Sequence, residues 1–239
     1  MRALPQQEPA QALLPGGADH QVRVGLTGGV EILRDGVDGD GVDQRARLLD
    51  AAIARFARDG IGATSLRAIA ADAGVTPAML HYYFGDKDQL KQALIEERLQ
   101  PTLAPIRERL AQNGDDPSAL IGAFVHGMGE VVARHPWLPS LWVREVLCDG
   151  GELREVLFDQ LLPSLPQMLA GRFARAQEAG RLNPGLDPRL LVVSLVGLTL
   201  LPAAGAPIWR TLFDAEDLGL DDVRSHAIAL LDRGLELKE

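Results

Sequence analysis

The side chains with the most chemistry to offer stand in a row: His81, Tyr82, Tyr83 and Phe84. A soluble core rarely needs large rings side by side. A helix laid on a nucleic-acid duplex can use them, because one side packs down while phenol hydroxyls reach phosphate oxygens. Lys87 would add a cation on the same side. Other sets offer less. His126 and Glu130 share a helix face at i, i+4 and could begin a metal site, but no third ligand stands at useful spacing, so a solvated or hydrogen-bonded pair is expected. Cys148, His126 and Glu145 could be imagined as a nucleophilic set, yet nothing places them together and no oxyanion-type glycine turn accompanies them. The run Asp35–Asp43, DGVDGDGVD, imitates a calcium loop. Counted from Asp38, however, position 5 is Val42 and position 12 is Leu49, where the loop needs acids. No catalytic residue, metal or cofactor is therefore assigned.

Helices must hold the aromatic row in place. Thr64 or Ser65 offers a hydroxyl to cap a first short helix, with Leu66, Ile69, Ala70 and Ala73 at helical spacing. Gly74 suits the left-handed backbone that ends it. Thr76 then caps a second helix, with Pro77 at its first position, where a missing N–H costs nothing. Upstream, Asp43–Asp59 reads as a helix with a buried stripe of Leu48, Leu49, Ala52, Ile53 and Phe56, ended by Gly60. Downstream, Asp86 caps a long helix through Leu90, Leu94, Ile95 and Leu99, which Pro101 and Pro105 are expected to bend or end. This helix joins the aromatic helix to the rest of the chain, as a lever would.

The ordered set from Gln44 to Leu94 resembles the DNA-binding half of the tetracycline-repressor (TetR/AcrR) family of bacterial transcriptional regulators. It comprises Ala52, Phe56, Ala57 and Gly60; Thr64, Ser65, Ile69 and Ala70; Ala73, Gly74 and Val75; Tyr82, Tyr83 and Phe84; and Lys87 with Leu90. The resemblance implies a helix-turn-helix reader and phosphate contacts from Thr64, Ser65, Tyr82, Tyr83 and Lys87. Thr76, Ala78, Met79 and His81 are expected to face bases, with Pro77 and Arg67 on the same surface. His81 and Met79 stand where the family often has tyrosine and threonine, so base preference does not transfer.

Composition sets bounds on this reading. Net charge is −9 and aromatics make up 5% of the chain. Residues 43–90 carry six basic and six acidic groups, so the reader is neutral. A DNA face must come from segregating charge, with Arg45, Arg47, Arg67 and Lys87 on one side. A single cysteine, Cys148, rules out an intrachain disulfide and suits a reducing cytoplasm. Residues 1–42, rich in glycine and proline and without a basic start before an apolar run, read as a flexible acidic extension and not as a signal peptide. Apolar alternation at Val22, Val24 and Leu26 is too short to assign a strand.

From Asp116 onward the chain is helical and aliphatic. Helices are expected from Asp116 to about Arg134, from Leu138 to Asp149, and from Glu152 to Ala179, the last kinked or split at Pro163 and Pro166. Phe124, His126, Met128, Trp142, Arg144, Glu145, Cys148 and Phe158 are the candidate pocket lining, with Trp137 and Met168 near them. Core packing accounts for each singly; together they suggest a cavity with a few polar anchors and an acid or acceptor facing Arg144. Leu190–Trp209 is an uncharged run long enough to span a bilayer, but Pro202 and Pro207 interrupt it and no basic cluster flanks it. It and the amphipathic helix from Asp221 to about Leu235, with Val223, Ala227, Leu230 and Leu231 inward, sit where the resembled family forms its dimer interface.

The expected protein is all-α. It has an extension at 1–42, a helix-turn-helix domain at 43–90 and a helical effector-binding and dimerisation domain at 91–239. The resemblance implies a cytoplasmic homodimer on near-palindromic double-stranded DNA, a repressor released by a small-molecule effector. The alternatives are a ligand-free DNA-binding protein with a structural role, a single-span membrane protein and an enzyme.

Overall fold

A computed structural model of the chain describes residues 37–161 and 164–235, every element of which is helical. The side chains of residues 37–42, Phe158, Leu161, Arg233 and Leu235 fall outside that description. The acidic extension, the calcium-like run up to Gly36 and the alternation at Val22–Leu26 also lie outside the described residues.

Helix α1, Val37–Asp59, begins upstream of the expected Asp43. Its buried stripe is the expected one, with Leu48, Leu49, Ala52 and Phe56 fully buried. Gly60, at φ +91°, stops it. Helix α2, Leu66–Asp72, is capped by Ser65, whose side chain accepts the Ala68 N–H. At its end Gly74 has φ +70° and the Val75 N–H returns to the Ala70 carbonyl, which closes the left-handed exit. Helix α3, Pro77–Phe84, starts at the Thr76 cap.

Helix α4, Lys87–Leu94, is capped by Asp86 and runs through a π-helical turn, Ile95–Leu99, into α5, Gln100–Gln112. The prolines do not end this helix as expected. Pro101 falls at its new start, directly after the wider π turn, where a ring and a missing N–H are tolerated. Only Pro105 lies inside α5.

Helix α6, Pro117–Arg134, packs on α5 and, across its other side, on the last helix. Helix α7, Leu138–Trp142, continues as a second π turn, Val143–Leu147. The long third helix is split as expected: α8, Arg154–Val156, passes into a third π turn, Leu157–Leu161, and α9, Leu165–Glu178, restarts beyond it.

The uncharged run is not one helix. Helix α10, Pro188–Ala204, stops at Gly205, and α11, Ala206–Phe213, leaves at 71° to it. Among the described residues no single helix is long and apolar enough to cross a membrane. Pro207 falls in the first turn of α11, where proline fits. The Trp209 indole N–H donates to the Pro202 carbonyl at 2.8 Å and pins the corner. Helix α12, Leu220–Leu235, buries Ala227 and Leu231, but leaves Leu230 outside against expectation. One hydrophobic core runs from Leu48 through to Leu231, so residues 43–90 and the helices after them share it.

Candidate nucleic-acid interface and ligand cavity

Helix α3 has two faces. Leu80 and Phe84 are buried where α3 packs on α2 and α4, and the opposite face leaves Thr76, Pro77, Ala78, His81 and Tyr82 exposed. Tyr82 is 83% exposed, an unusual place for a large ring unless something covers it. Met79 is half-buried at the edge. The Thr76 hydroxyl accepts the Met79 N–H at 3.4 Å, which leaves its own proton free to donate. His81 Nδ1 lies 2.5 Å from the Gly85 carbonyl, which can only accept; the ring therefore carries its proton on Nδ1 and presents Nε2 outward. Tyr83 is half-buried, packs edge-on to Tyr82 at 5.3 Å, and donates to Gln44 Oε1 at 3.4 Å. Lys87 Nζ donates to the Gly62 carbonyl at 3.2 Å, holding the ammonium beside the turn before α2 with donors to spare. Ser65 and Arg67 are exposed on the same side of the chain's turn into α2.

Two expected contacts fail on geometry. Thr64 is only 4% exposed and its hydroxyl donates to the Gly60 carbonyl at 2.7 Å, so it closes the α1–α2 turn and cannot reach a phosphate. Arg45 does not serve the DNA face. Its guanidinium forms a two-pronged bond to Glu97 and lies 4.8 Å over the Phe84 ring, tying α1 to the first π turn. The Arg45 bond holds the Glu97 carboxyl below its usual range, and Glu97 raises Arg45 in turn. Arg55 clasps Asp72 at 2.7 and 3.0 Å and thereby fixes α1 to α2. That hydrogen bond lowers the Asp72 carboxyl. Arg47 pairs with Asp43 on α1 at 3.3 Å.

The expected pocket residues separate into those around a cavity and those away from it. Phe124, Met128 and Trp142 line a small cavity of about 70 Å³, whose other walls are aliphatic side chains of α5, α7, α9, α10 and the three π turns. Its lining includes no charged side chain. The polar anchors are elsewhere. His126 is exposed, with Nδ1 2.8 Å from the Gly122 carbonyl, and Glu130 is gripped by Arg109 at 3.1 Å, so the pair does not converge. Arg144 and Cys148 are exposed around an open cleft of about 500 Å³ beside Asp59 and Gly60. Glu145 is buried, but its oxygens accept the Ile61 N–H at 2.8 Å and the Glu152 N–H at 3.0 Å. No acid can meet Arg144 inside the cavity. The side chain of Phe158 lies outside the described residues; Trp137 and Met168 are half-buried against the core.

Sequence reasoning placed polar residues in the cavity because it sought anchors. It missed Leu99, Leu103, Ile106, Leu141, Val192 and Val196, since an aliphatic side chain lining a cavity reads like any core residue. It also missed Gln44, whose contact with Tyr83 carries no local pattern.

Residues 48–94 match the family model described as bacterial regulatory proteins, tetR family. That segment of the chain is therefore similar to the DNA-binding part of tetR-family regulators. It is 31% identical over 147 residues to the HTH-type transcriptional regulatory protein RaaS of Mycobacterium tuberculosis. That match covers 60% of this chain and 62% of RaaS, so the likeness spans under two thirds of that relative. The fold is similar to that of the ketosteroid transcriptional regulator KstR2 of Mycobacterium tuberculosis, at TM-score 0.65 and 21% identity over 82% of this chain and 96% of that one. It is also similar to the transcriptional regulator FadR of Bacillus subtilis in complex with stearoyl-CoA, at TM-score 0.58 and 19% identity over 80% and 99%. The residues matched by the family model include the whole of α2, α3 and α4.

Proposed function

We propose that the chain is a homodimeric, sequence-specific DNA-binding transcriptional regulator of the cytoplasm, a repressor released when an apolar small molecule enters its cavity. Residues 43–90 would read DNA, residues 91–239 would bind effector and dimerise, and residues 1–42 form an extension. The observation that carries the reading is one helical path that serves both ends. Leu90 and Leu94 of α4 are buried in the reader, and Leu99, Leu103 and Ile106 farther along the same path line the cavity. A change at one end therefore has a continuous route to the other.

The exposed face of α10 supports a dimer. Leu190, Val193 and Leu201 are more than half exposed on a stripe that also carries Ser194 and Gly197, and α11 adds Ile208, Leu212 and Phe213. Small residues among large ones let a second helix approach closely, and an apolar surface of this extent calls for a partner. In α11 the Arg210 Nε is buried and has no hydrogen-bond partner among the described residues. A twofold pair would present two α3 helices to successive major grooves, roughly 34 Å apart, of a near-palindromic site.

The cavity supports an apolar, uncharged effector in place of the acid that Arg144 suggested. The proteins of similar fold include a ketosteroid regulator and a regulator in complex with stearoyl-CoA, and a steroid and a stearoyl chain are both large apolar bodies. At about 70 Å³ the cavity is far smaller than the roughly 300–1,000 Å³ of drug-sized sites. A ligand must therefore push the walls apart, and so binds a different conformation better. To switch DNA binding from nearly complete to nearly absent, that preference must reach about 10⁴-fold.

The test is retention of DNA by the purified protein, first with duplex flanking its own gene and then with sequences selected from random DNA. A protected near-palindrome whose occupancy falls as a neutral apolar compound saturates the protein is the expected result. Retention that is equal on all sequences would reject the reading. Dispersed genomic sites with no ligand response would favour the structural role.

A further inference from the structure

Three wide helical turns border the cavity. Ile95–Leu99, Val143–Leu147 and Leu157–Leu161 contribute Leu99, Val146 and Leu157 to its wall. A π turn carries a residue more than the α pattern needs and has poorer hydrogen bonds, and such turns gather at functional sites. A wall made from them re-registers more easily than one made from regular helix.

Two of the same turns also hold the reader. Arg98, from the first, reaches Asp50 at 2.8 Å and the Ala46 carbonyl at 3.3 Å on α1. Glu145, from the second, is 3% exposed and is the one buried charged side chain among the described residues. Its Oε1 accepts the Ile61 N–H at 2.8 Å, the first amide after Gly60, where α1 turns toward α2. Oε2 accepts the Glu152 N–H at 3.0 Å, and Glu152 in turn takes Lys91 of α4 at 2.9 Å. The approach is close. A Cβ on Gly60 would stand 3.3 Å from Glu145 Oε1 and 3.2 Å from Arg144 Cδ, on backbone already at φ +91°. Trp142, just before the Val143–Leu147 turn, and Val146, within it, line the cavity.

We propose that Glu145 is the latch through which the cavity controls the reader. The inference rests on the ligand-released reading above. Widening the cavity displaces the 143–147 turn and draws the Glu145 carboxylate from the Ile61 N–H. That frees the α1–α2 turn and so the placement of α2 and α3 on DNA. The latch is two-state because a half-withdrawn carboxylate leaves a buried charge and a buried donor unpaired together, the least stable arrangement available.

The test follows hydrogen exchange at the Ile61 amide in the full chain. Leu169→Trp adds bulk from α9, which carries none of the latch residues, and Leu169→Phe does so more gently if the larger ring prevents folding. Filling the cavity should speed Ile61 exchange about tenfold or more. Glu145→Gln should speed it by itself, and adding the filler to that variant should change it less than about twofold. Ile61 exchange that stays at the wild-type rate in a folded, filled variant would overturn the latch. A second arm uses 1-decanol as a neutral apolar probe, followed by Trp142 fluorescence and DNA retention. If decanol binds and releases DNA while Ile61 exchange is unchanged, the ligand-released reading stands and the latch falls. If fillers speed Ile61 exchange but decanol neither binds nor releases DNA, the latch stands and the effector reading falls.

Discussion

Residues 43–90 and residues 91–235 are built from the same kind of helix but are filled to different degrees. In the reader, short helices are stopped by caps and cross-tied by charged clasps: Ser65 and Thr76 at helix starts, Gly60 and Gly74 at ends, Arg55 to Asp72 and Arg45 to Glu97 between elements. Its interior is fully packed around Phe56, Ile69, Leu80 and Leu90. Residues 91–235 have caps and clasps too, at Asp116 and Asp187 and between Arg109 and Glu130, but they add three π turns, a cavity and an apolar face left open. A filled interior leaves its helices little room to shift, whereas a cavity bordered by wide turns leaves room.

The contrast predicts unequal costs for equal deletions. Leu80→Ala, in the packed reader, should lose about 3–5 kcal/mol, whereas Leu157→Ala, beside an existing cavity, should lose about 2–3 because it surrenders fewer contacts. Denaturant unfolding of both variants measures this, and equal losses would erase the distinction. The next effect concerns the open face. Val193→Asp changes a residue 64% exposed in the single chain, so monomer stability should hardly move while dimerisation weakens by several kcal/mol. Sedimentation against concentration reads it. Val196 lines the cavity, so a charge there would report on packing instead.

Smaller effects sharpen the picture of the reader. His81→Ala should alter preference at one base position by about 1–3 kcal/mol. Lys87→Ala should weaken all sequences alike and reduce the salt slope by about one. Binding of operator variants at several salt concentrations separates the two, and identical scaling by both variants would remove the division between base and phosphate contacts. The least effect is expected from acid. Glu97 is depressed in the fold by Arg45, so its pairing stabilises above the unfolded carboxyl value of about 4.3 and is lost as pH falls through the lower folded value. The pair is partly exposed, so the loss is modest. Melting temperature followed from pH 6 down to pH 3 should show a shallower acid decline in Glu97→Gln than in the unaltered protein.

Most of the reader was legible in order along the chain. Caps, stops and the inward stripe of a short helix are decided within a few residues, and Ser65, Gly74, Thr76 and Pro77 stand where local rules put them. The same locality explains the errors. Thr64 and Ser65 look alike as hydroxyls, and only the turn at Gly60 decides that Thr64 points inward to a carbonyl. Pro101 and Pro105 signal a helix end, yet a π turn upstream and packing on α6 carry the helix past them.

What the sequence by itself determined was the all-helical character, the reader's helices and the outward face of α3, because backbone sterics and side-chain periodicity act over one or two turns. Tertiary structure alone decided which aliphatic residues line the cavity, that Arg144 stays outside it, and that the uncharged run breaks at Gly205. It alone gave Glu145 an amide partner at Ile61. Those outcomes depend on which helices meet. A carboxylate's partner 84 residues away leaves no trace in local spacing.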